Sequence, residues 1–288
     1  MIDVLGAGLW DLAQPPLQGL GLMHLADDGW GDPDRDPAAL VRAAVEAEVT
    51  LLDTAEMYGN EDVVGRAIRA RREDVVLCSK FGVYWGPSGR PDDWSVRADP
   101  ATVHSAVEGS LRRLDVDVID LYYLHHRSDD TPIEDTIGAM AELVQQGKIR
   151  AIGLSNVTVD DVRRAHAVHP VQAVQEAWSL LRRDVETMLP VLAALGVTLV
   201  AHSPLDHGAL HTGGGGPLTD ILRDMAARYG VSPGQLALAW VHGRGRRAGQ
   251  PVVPLPGTTR ISHLRADAAA ARIALDDADL ARLDAATD

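Results

Sequence analysis

Apolar residues along this chain fall into two alternating patterns. Short runs rich in leucine and β-branched side chains recur at 17–23, 49–53, 75–80, 118–125, 150–155, 171–175, 197–202 and 251–256. Most are continuous rather than alternating, the pattern of a strand covered on both faces. Between them the apolar positions take a helical period. Val103, Val107 and Leu111 step by four, and Ile133, Ile137, Met140 and Val144 step by four, three and four. Segments 37–48, 61–70, 158–168, 184–195 and 217–229 have the same character. Pro37 and Pro132 stand where helices start.

Eight strand–helix alternations without a long polar linker predict one domain over residues 1–288, an α/β fold of the (β/α)8 or TIM-barrel type. A doubly wound sheet is the competing arrangement. Its nearest nucleotide-binding turn, "GAGLWD" at 6–11, lacks a third glycine and runs on into Leu-Ala-Gln-Pro-Pro instead of a helix.

Charge narrows the partners. Asp plus Glu number 41 against 27 Lys plus Arg, a formal net charge of -14, so a nucleic acid is excluded as a partner. The one basic cluster, "RGRR" (244–247), reads as a solvated turn in a Gly-rich loop. A single cysteine, Cys78, rules out an internal disulfide framework and a multi-thiolate metal site. No apolar stretch approaches the ~18–20 residues of a membrane span, and no signal-peptide pattern opens the chain. The expectation is a cytoplasmic protein without membrane or metal.

In a barrel of this kind the loops after the strands build one face, so the residues that end each apolar run sample a single site. Asp53 ends the second run and Tyr58 follows it; Lys80 ends the third and His125 the fourth. Ser155 and Asn156, then Gln175, then His202 and Ser203 follow the next three, and the last opens into Gly257, Thr258, Thr259 and Arg260. Asp53 can pair with Lys80 and keep the ammonium charged inside the protein. An ammonium beside Tyr58 is expected to lower the phenol from its reference pKa of ~10 toward neutrality. His125 can donate to a carbonyl oxygen. The set reads as a proton donor for a developing alkoxide.

At these residues the chain resembles the aldo-keto reductase superfamily. The matching blocks are "DTAEMYG" (53–59), "CSKFG" (78–82), "DLYYLHH" (120–126), "GKIRAIGLSN" (147–156), "VQEAWSL" (174–180), "AHSPL" (201–205) and "PLPGTTR" (254–260), in family order. The resemblance implies a catalytic tetrad of Asp53, Tyr58, Lys80 and His125, with Tyr58 as general acid in reduction and base in oxidation. It implies hydride transfer between a nicotinamide cofactor, NADPH with NADH as the alternative, and an aldehyde or ketone, without metal. Ser155, Asn156 and Gln175 would hold the nicotinamide carboxamide, and the Ser203–Leu205 turn would lie along the pyrophosphate. Arg260 would reach the adenosine 2′-phosphate at a helix start suited to anions. Gly21 and Met23 at the end of the first run, with His263 and Asp267 beyond Arg260, complete the cofactor set.

Several positions depart from the family pattern. His202 stands where an aromatic ring commonly stacks on nicotinamide. Asp206 and His207 replace Gly and Arg near the pyrophosphate, and an aspartate there repels phosphate unless it turns away. Asp267 takes a place often given to asparagine. For substrate, the long loop 82–99 supplies Trp85 and Trp94, and His126 adjoins the tetrad histidine. "HTGGGG" (211–216) reads as a lid segment or a loop tip. The short tail ending with "DDADLARLDAATD" (276–288) suggests an open site for bulky carbonyls or keto-sugars. The alternative function is a nucleotide-binding regulatory subunit resembling the potassium-channel β subunits.

Overall fold

Side chains two apart on a strand share a face, and in this chain that parity separates two cores. The computed structural model describes residues 16–25, 36–88, 90, 92–212 and 217–287. The early strands are β1 (Gly19–Gly21), β2 (Leu51–Asp53), β3 (Val76–Phe81), β4 (Val83–Trp85) and β5 (Trp94–Val96). Then come β6 (Ile119–Leu124), β7 (Ile149–Ser155), β8 (Val171–Ala177), β9 (Thr198–His202) and β10 (Val252–Leu255). All but β4 and β5 join one parallel sheet in chain order. The Gly21 N–H donates to Pro256 O at 2.9 Å and Gly21 bridges Gly257, which brings β1 back to β10. This is the (β/α)8 barrel that the alternation predicts.

The helices surround it. They are α1 (Pro37–Glu46), α2 (Glu61–Ile68), α3 (Pro100–Leu114), α4 (Ile133–Gln145), α5 (Val159–Val168) and α6 (Leu189–Leu195). The remainder are α7 (Ala209–Thr212), α8 (Pro217–Tyr229), α9 (Pro233–Ala248), α10 (Ile261–Ala270) and α11 (Asp277–Asp284). Among the described residues no helix is long and apolar enough to cross a membrane.

Inside the barrel pack Leu51, Val76, Cys78, Leu121, Tyr123, Ala173, Val200, Val253 and Leu255. The next residue along each strand faces outward into the helix layer, as with Leu52, Leu77, Tyr122 and Val174. Both faces are therefore dry, which explains the continuous apolar runs. Continuing the inward parity by one step past the apolar plug reaches Asp53, Lys80, His125, Ser155, Gln175 and His202. The same rule that fills the barrel places polar chemistry at its mouth.

Three elements differ from the sequence expectation. The loop 82–99 contains the antiparallel pair β4 and β5, with Trp85 opposite Trp94. The "RGRR" cluster is no solvated turn: it forms the last turns of α9, and Arg244 donates to Glu186 at 2.7 Å and to Asp284 at 3.2 Å. Glycines at 234, 243 and 245 hide this helix from a propensity reading. Gly243 and Gly245 are there because α9 lies close to Leu280 and Val252. The third is α11, capped by the Asp276 carboxylate accepting from the Asp279 N–H. The "GAGLWD" segment and the four glycines of 213–216 lie outside the described residues.

The tightest helix contact is at Gly65 of α2, where an added Cβ would stand 2.1 Å from the Leu114 carbonyl oxygen of α3. Backbone cannot yield as a side chain can. Gly65→Ala is expected to cost about 1–3 kcal/mol or more, read as a lower thermal midpoint. Gly138→Ala in α4, with nothing within 4 Å, should instead raise the midpoint by up to about 1 kcal/mol of stability.

Candidate active site

The segment after β2 folds into a short 3₁₀ turn, Glu56–Tyr58, that ends on Gly59 with φ 66°. The buried Asn60 side chain pins it: its amide donates to Leu22 O at 2.7 Å and its carbonyl accepts from the Thr54 hydroxyl at 2.6 Å. Glu61, at the start of α2, accepts from Ser79 at 2.6 Å and from Arg113 at 2.7 Å. The turn is thus clamped to β1 on one side and to β3 on the other. These clamps are what set the position of Tyr58.

Lys80 has no solvent exposure. Its ammonium pairs with Asp53 Oδ1 and donates to Thr54 O at 3.0 Å and to the Tyr58 hydroxyl at 3.4 Å. Three donors meet three acceptors, which leaves none unsatisfied. The other carboxylate oxygen of Asp53 accepts from the Gln175 amide at 2.9 Å. Burial opposes the charge on Lys80, but the Asp53 and Tyr58 oxygens outweigh it and the pKa stands above its ordinary value. The lysine stays an ammonium.

The expected fall in the Tyr58 pKa is not found. Burial of the hydroxyl end raises it, the Lys80 charge lowers it, and Asp53 raises it again; the net direction is up. Desolvating a phenolate costs more here than one ammonium returns, because that ammonium is already shared with a carboxylate. Tyr58 is a neutral phenol whose oxygen accepts from Lys80, so its own proton is free to point elsewhere.

The His125 ring stands edge-on to Tyr58 with centroids 5.8 Å apart. Burial, then the Lys80 charge, hold its pKa well below the usual imidazole value. The ring is neutral, and its buried Nδ1 has no hydrogen-bond partner among the described residues. His202, at the end of β9, is pushed down to about 4 by burial and then by Lys80. Its Nδ1 lies 3.1 Å from the Ser203 hydroxyl. Near the barrel mouth Lys80 therefore carries a positive charge that these two imidazoles do not share.

Around this centre the rim backbone is left-handed at Asn156, Ser203, Asp206 and His207, all with φ between 46° and 53°. Such positions carry strain and concentrate at functional sites. Asn156 donates to His125 O at 2.9 Å and to the Ser155 hydroxyl at 3.1 Å. Asp206 does turn away: its carboxylate lies 2.9 Å from Arg182 Nε. The Leu205 side chain is buried in the helix-side core, so only its backbone can face a ligand. Gly21 and Gly257 approach so closely that a Cβ on Gly257 would lie 3.4 Å from Gly21 O.

Beyond β10, Thr258 accepts from the Arg260 N–H at 3.1 Å, and α10 begins at Ile261 with no side-chain cap among the described residues. Thr259 is half-buried and Arg260 exposed. The His263 ring faces His211 at 6.2 Å. Asp267 is buried, and burial alone raises its carboxyl to about 7. Met23, after β1, and Trp85 and Trp94, on the β4–β5 ribbon, are exposed. Trp85 donates to Met57 O at 3.1 Å, one residue before Tyr58, and Trp94 lies 5.1 Å from the His126 ring. Asn60, Glu61 and Arg113 escape a reading of strand ends, because they act from behind the turn.

Lys80→Met would leave the Asp53 carboxylate buried with only the Gln175 amide. The loss of one partner of such a pair is expected to cost about 3–5 kcal/mol, seen as a lower urea midpoint. An unchanged midpoint would contradict the pairing described.

An aldo/keto reductase from Klebsiella pneumoniae, solved in complex with NADP and acetate, is similar over 94% of this chain and 90% of its own, with 34% identity and a TM-score of 0.76. The thermostable aldo-keto reductase Tm1743, solved with the inhibitor epalrestat, covers 94% of both chains at 32% identity and a TM-score of 0.78. A glycerol dehydrogenase from Gluconobacter oxydans matches 94% of this chain and 91% of its own at 26% identity, with a TM-score of 0.82. A model of the aldo/keto reductase family matches residues 19–288. On that match, and on a barrel carrying this constellation at its mouth, the chain belongs to the aldo/keto reductase family.

Proposed function

We propose that this protein is an NADPH-dependent reductase of aldehydes and ketones with Tyr58 as its general acid. The observation that carries the reading is the three-acceptor arrangement around Lys80. Because the Tyr58 oxygen accepts from the ammonium, the hydroxyl proton is left to donate to a substrate oxygen. The ammonium then stabilises the phenolate left behind. His125, uncharged and beside Tyr58, is suited to donate an N–H to the same oxygen and hold the carbonyl in line.

The rim residues fit a nicotinamide dinucleotide. Ser155, Asn156 and Gln175 would hold the carboxamide, and His202 would offer its neutral ring to the nicotinamide face. Ser203 and the Leu205 backbone would flank the pyrophosphate, with the bare backbone at Gly21 and Gly257 allowing close approach. Free N–H groups at the start of α10, Arg260 and His263 would take the 2′-phosphate end, with Thr258, Thr259 and Asp267 beside them. Met23 would close the cofactor's other side. When bound, NADPH supplies the hydride. The Klebsiella relatives solved with NADP and with NADPH support that cofactor.

The substrate wall would be the β4–β5 ribbon, with Trp85, Trp94 and His126 lining it. Indole faces beside an open rim suit a bulky or cyclic carbonyl, including a keto-sugar. The reverse reaction, alcohol oxidation, would use Tyr58 as base.

NADPH oxidation with 4-nitrobenzaldehyde tests the reading. Tyr58→Phe is expected to lower kcat by roughly 10²–10⁴-fold, the usual worth of a positioned general acid, while NADPH affinity stays within about twofold. Undiminished turnover in that variant would remove Tyr58 from the chemistry.

A further inference from the structure

One carboxylate at the barrel mouth has no part in the chemistry above. Glu176 follows Gln175 on β8 and points to the other face of the strand, beside the loop that leaves β7. Its Oε1 accepts from the Val157 N–H at 2.9 Å. The neighbouring Asn156 N–H also favours its charged form. Asn156, between Ser155 and Val157, is left-handed, with φ 53°. That conformation is costly for a residue with a Cβ, and an anion that accepts from the adjoining Val157 amide offsets the cost. The turn in question sends the Asn156 amide to His125 O at 2.9 Å and to Ser155 at 3.1 Å.

We propose that Glu176 is a positioning residue: its carboxylate holds the left-handed turn that presents Ser155 and Asn156 to the nicotinamide carboxamide. The proposal rests on the cofactor reading above. Charged groups on the surrounding elements are otherwise engaged. Arg127, on the loop after β6, pairs with Asp161 at 3.0 Å and Asp129 at 2.7 Å. Asp161, at the start of α5, also accepts from the Thr158 N–H at 2.9 Å. Arg182, after β8, pairs with Asp206 at 2.9 Å. His202 on β9 is held neutral by burial, and so is His125 after β6.

Burial raises the Glu176 carboxyl from 4.5 to about 7. The sign of the consequence follows. As the pH rises through about 7 the proton leaves, and the carboxylate grips the Val157 amide more strongly than the neutral acid does. Cofactor affinity therefore rises across that window. Stability runs the other way, because a raised carboxyl favours the folded state only while it is protonated. Glu176→Gln, neutral at every pH, is expected to be at least as stable as the wild type at pH 8.5 and yet to bind cofactor less well. A residue that served stability alone would not separate the two.

The test is the dissociation constant of NADPH, measured by quenching of tryptophan fluorescence, for wild type and Glu176→Gln between pH 5.5 and 8.5. The ratio of the two constants cancels the titration of the cofactor phosphate and of the histidines. It should rise from about one at pH 5.5 to about fivefold at pH 8.5, the difference between a charge-assisted and a neutral hydrogen bond. NADPH bound by both proteins with a ratio near one throughout would overturn the proposal and leave the cofactor reading standing. A wild type that binds no NADPH would overturn both. A second readout needs no variant: the Val157 amide proton should move upfield as the pH falls through about 7, and an amide that does not titrate there would overturn the proposal.

Discussion

A fully buried ammonium is costly, and the barrel mouth is arranged around that cost. An isolated lysine in this position would give up its proton instead of its hydration. Asp53, Thr54 O and the Tyr58 hydroxyl each take one of the three N–H donors of Lys80, and Gln175 occupies the other carboxylate oxygen. This satisfies the charge without discharging it. It also dictates the polarity of the tyrosine, since an oxygen that accepts from lysine presents its proton outward. The chemistry proposed for this protein depends on that direction.

The fold supplies the coordinates for it. Inward parity along eight parallel strands brings Asp53, Lys80, His125, Ser155, Gln175 and His202 to the barrel mouth, beyond an apolar plug that includes Tyr123 and Cys78. The plug keeps the ammonium dry, which strengthens its interactions and removes competing water. Behind the 3₁₀ turn, Asn60 and Glu61 hold Tyr58 through bonds to Leu22, Thr54, Ser79 and Arg113. Barrel, turn and charge are one cooperative arrangement.

Much of this was legible before any coordinates. Each tetrad strand residue ends an apolar run, and in a barrel all run ends converge, so Asp53, Lys80 and His125 could be placed together from the pattern alone. Electrostatic balance was harder to read. Proximity of Lys80 to Tyr58 suggests an acidified phenol, but how deeply the hydroxyl is buried is a tertiary quantity, and it reverses the direction. The helix α9 was hidden by glycines whose purpose is packing against Leu280 and Val252, contacts that no local pattern displays. The turn-holding role of Glu176 depends on a left-handed backbone at Asn156, which a non-glycine residue does not announce.

Tyr58 is held as a neutral proton donor by a lysine that never discharges. The most direct measurement is an ultraviolet difference titration of tyrosinate absorbance, wild type minus Tyr58→Phe. The difference signal isolates one phenol among five tyrosines. An ionisation above the ordinary value of 10 is the predicted result. A phenol that ionises near neutral pH would contradict the account.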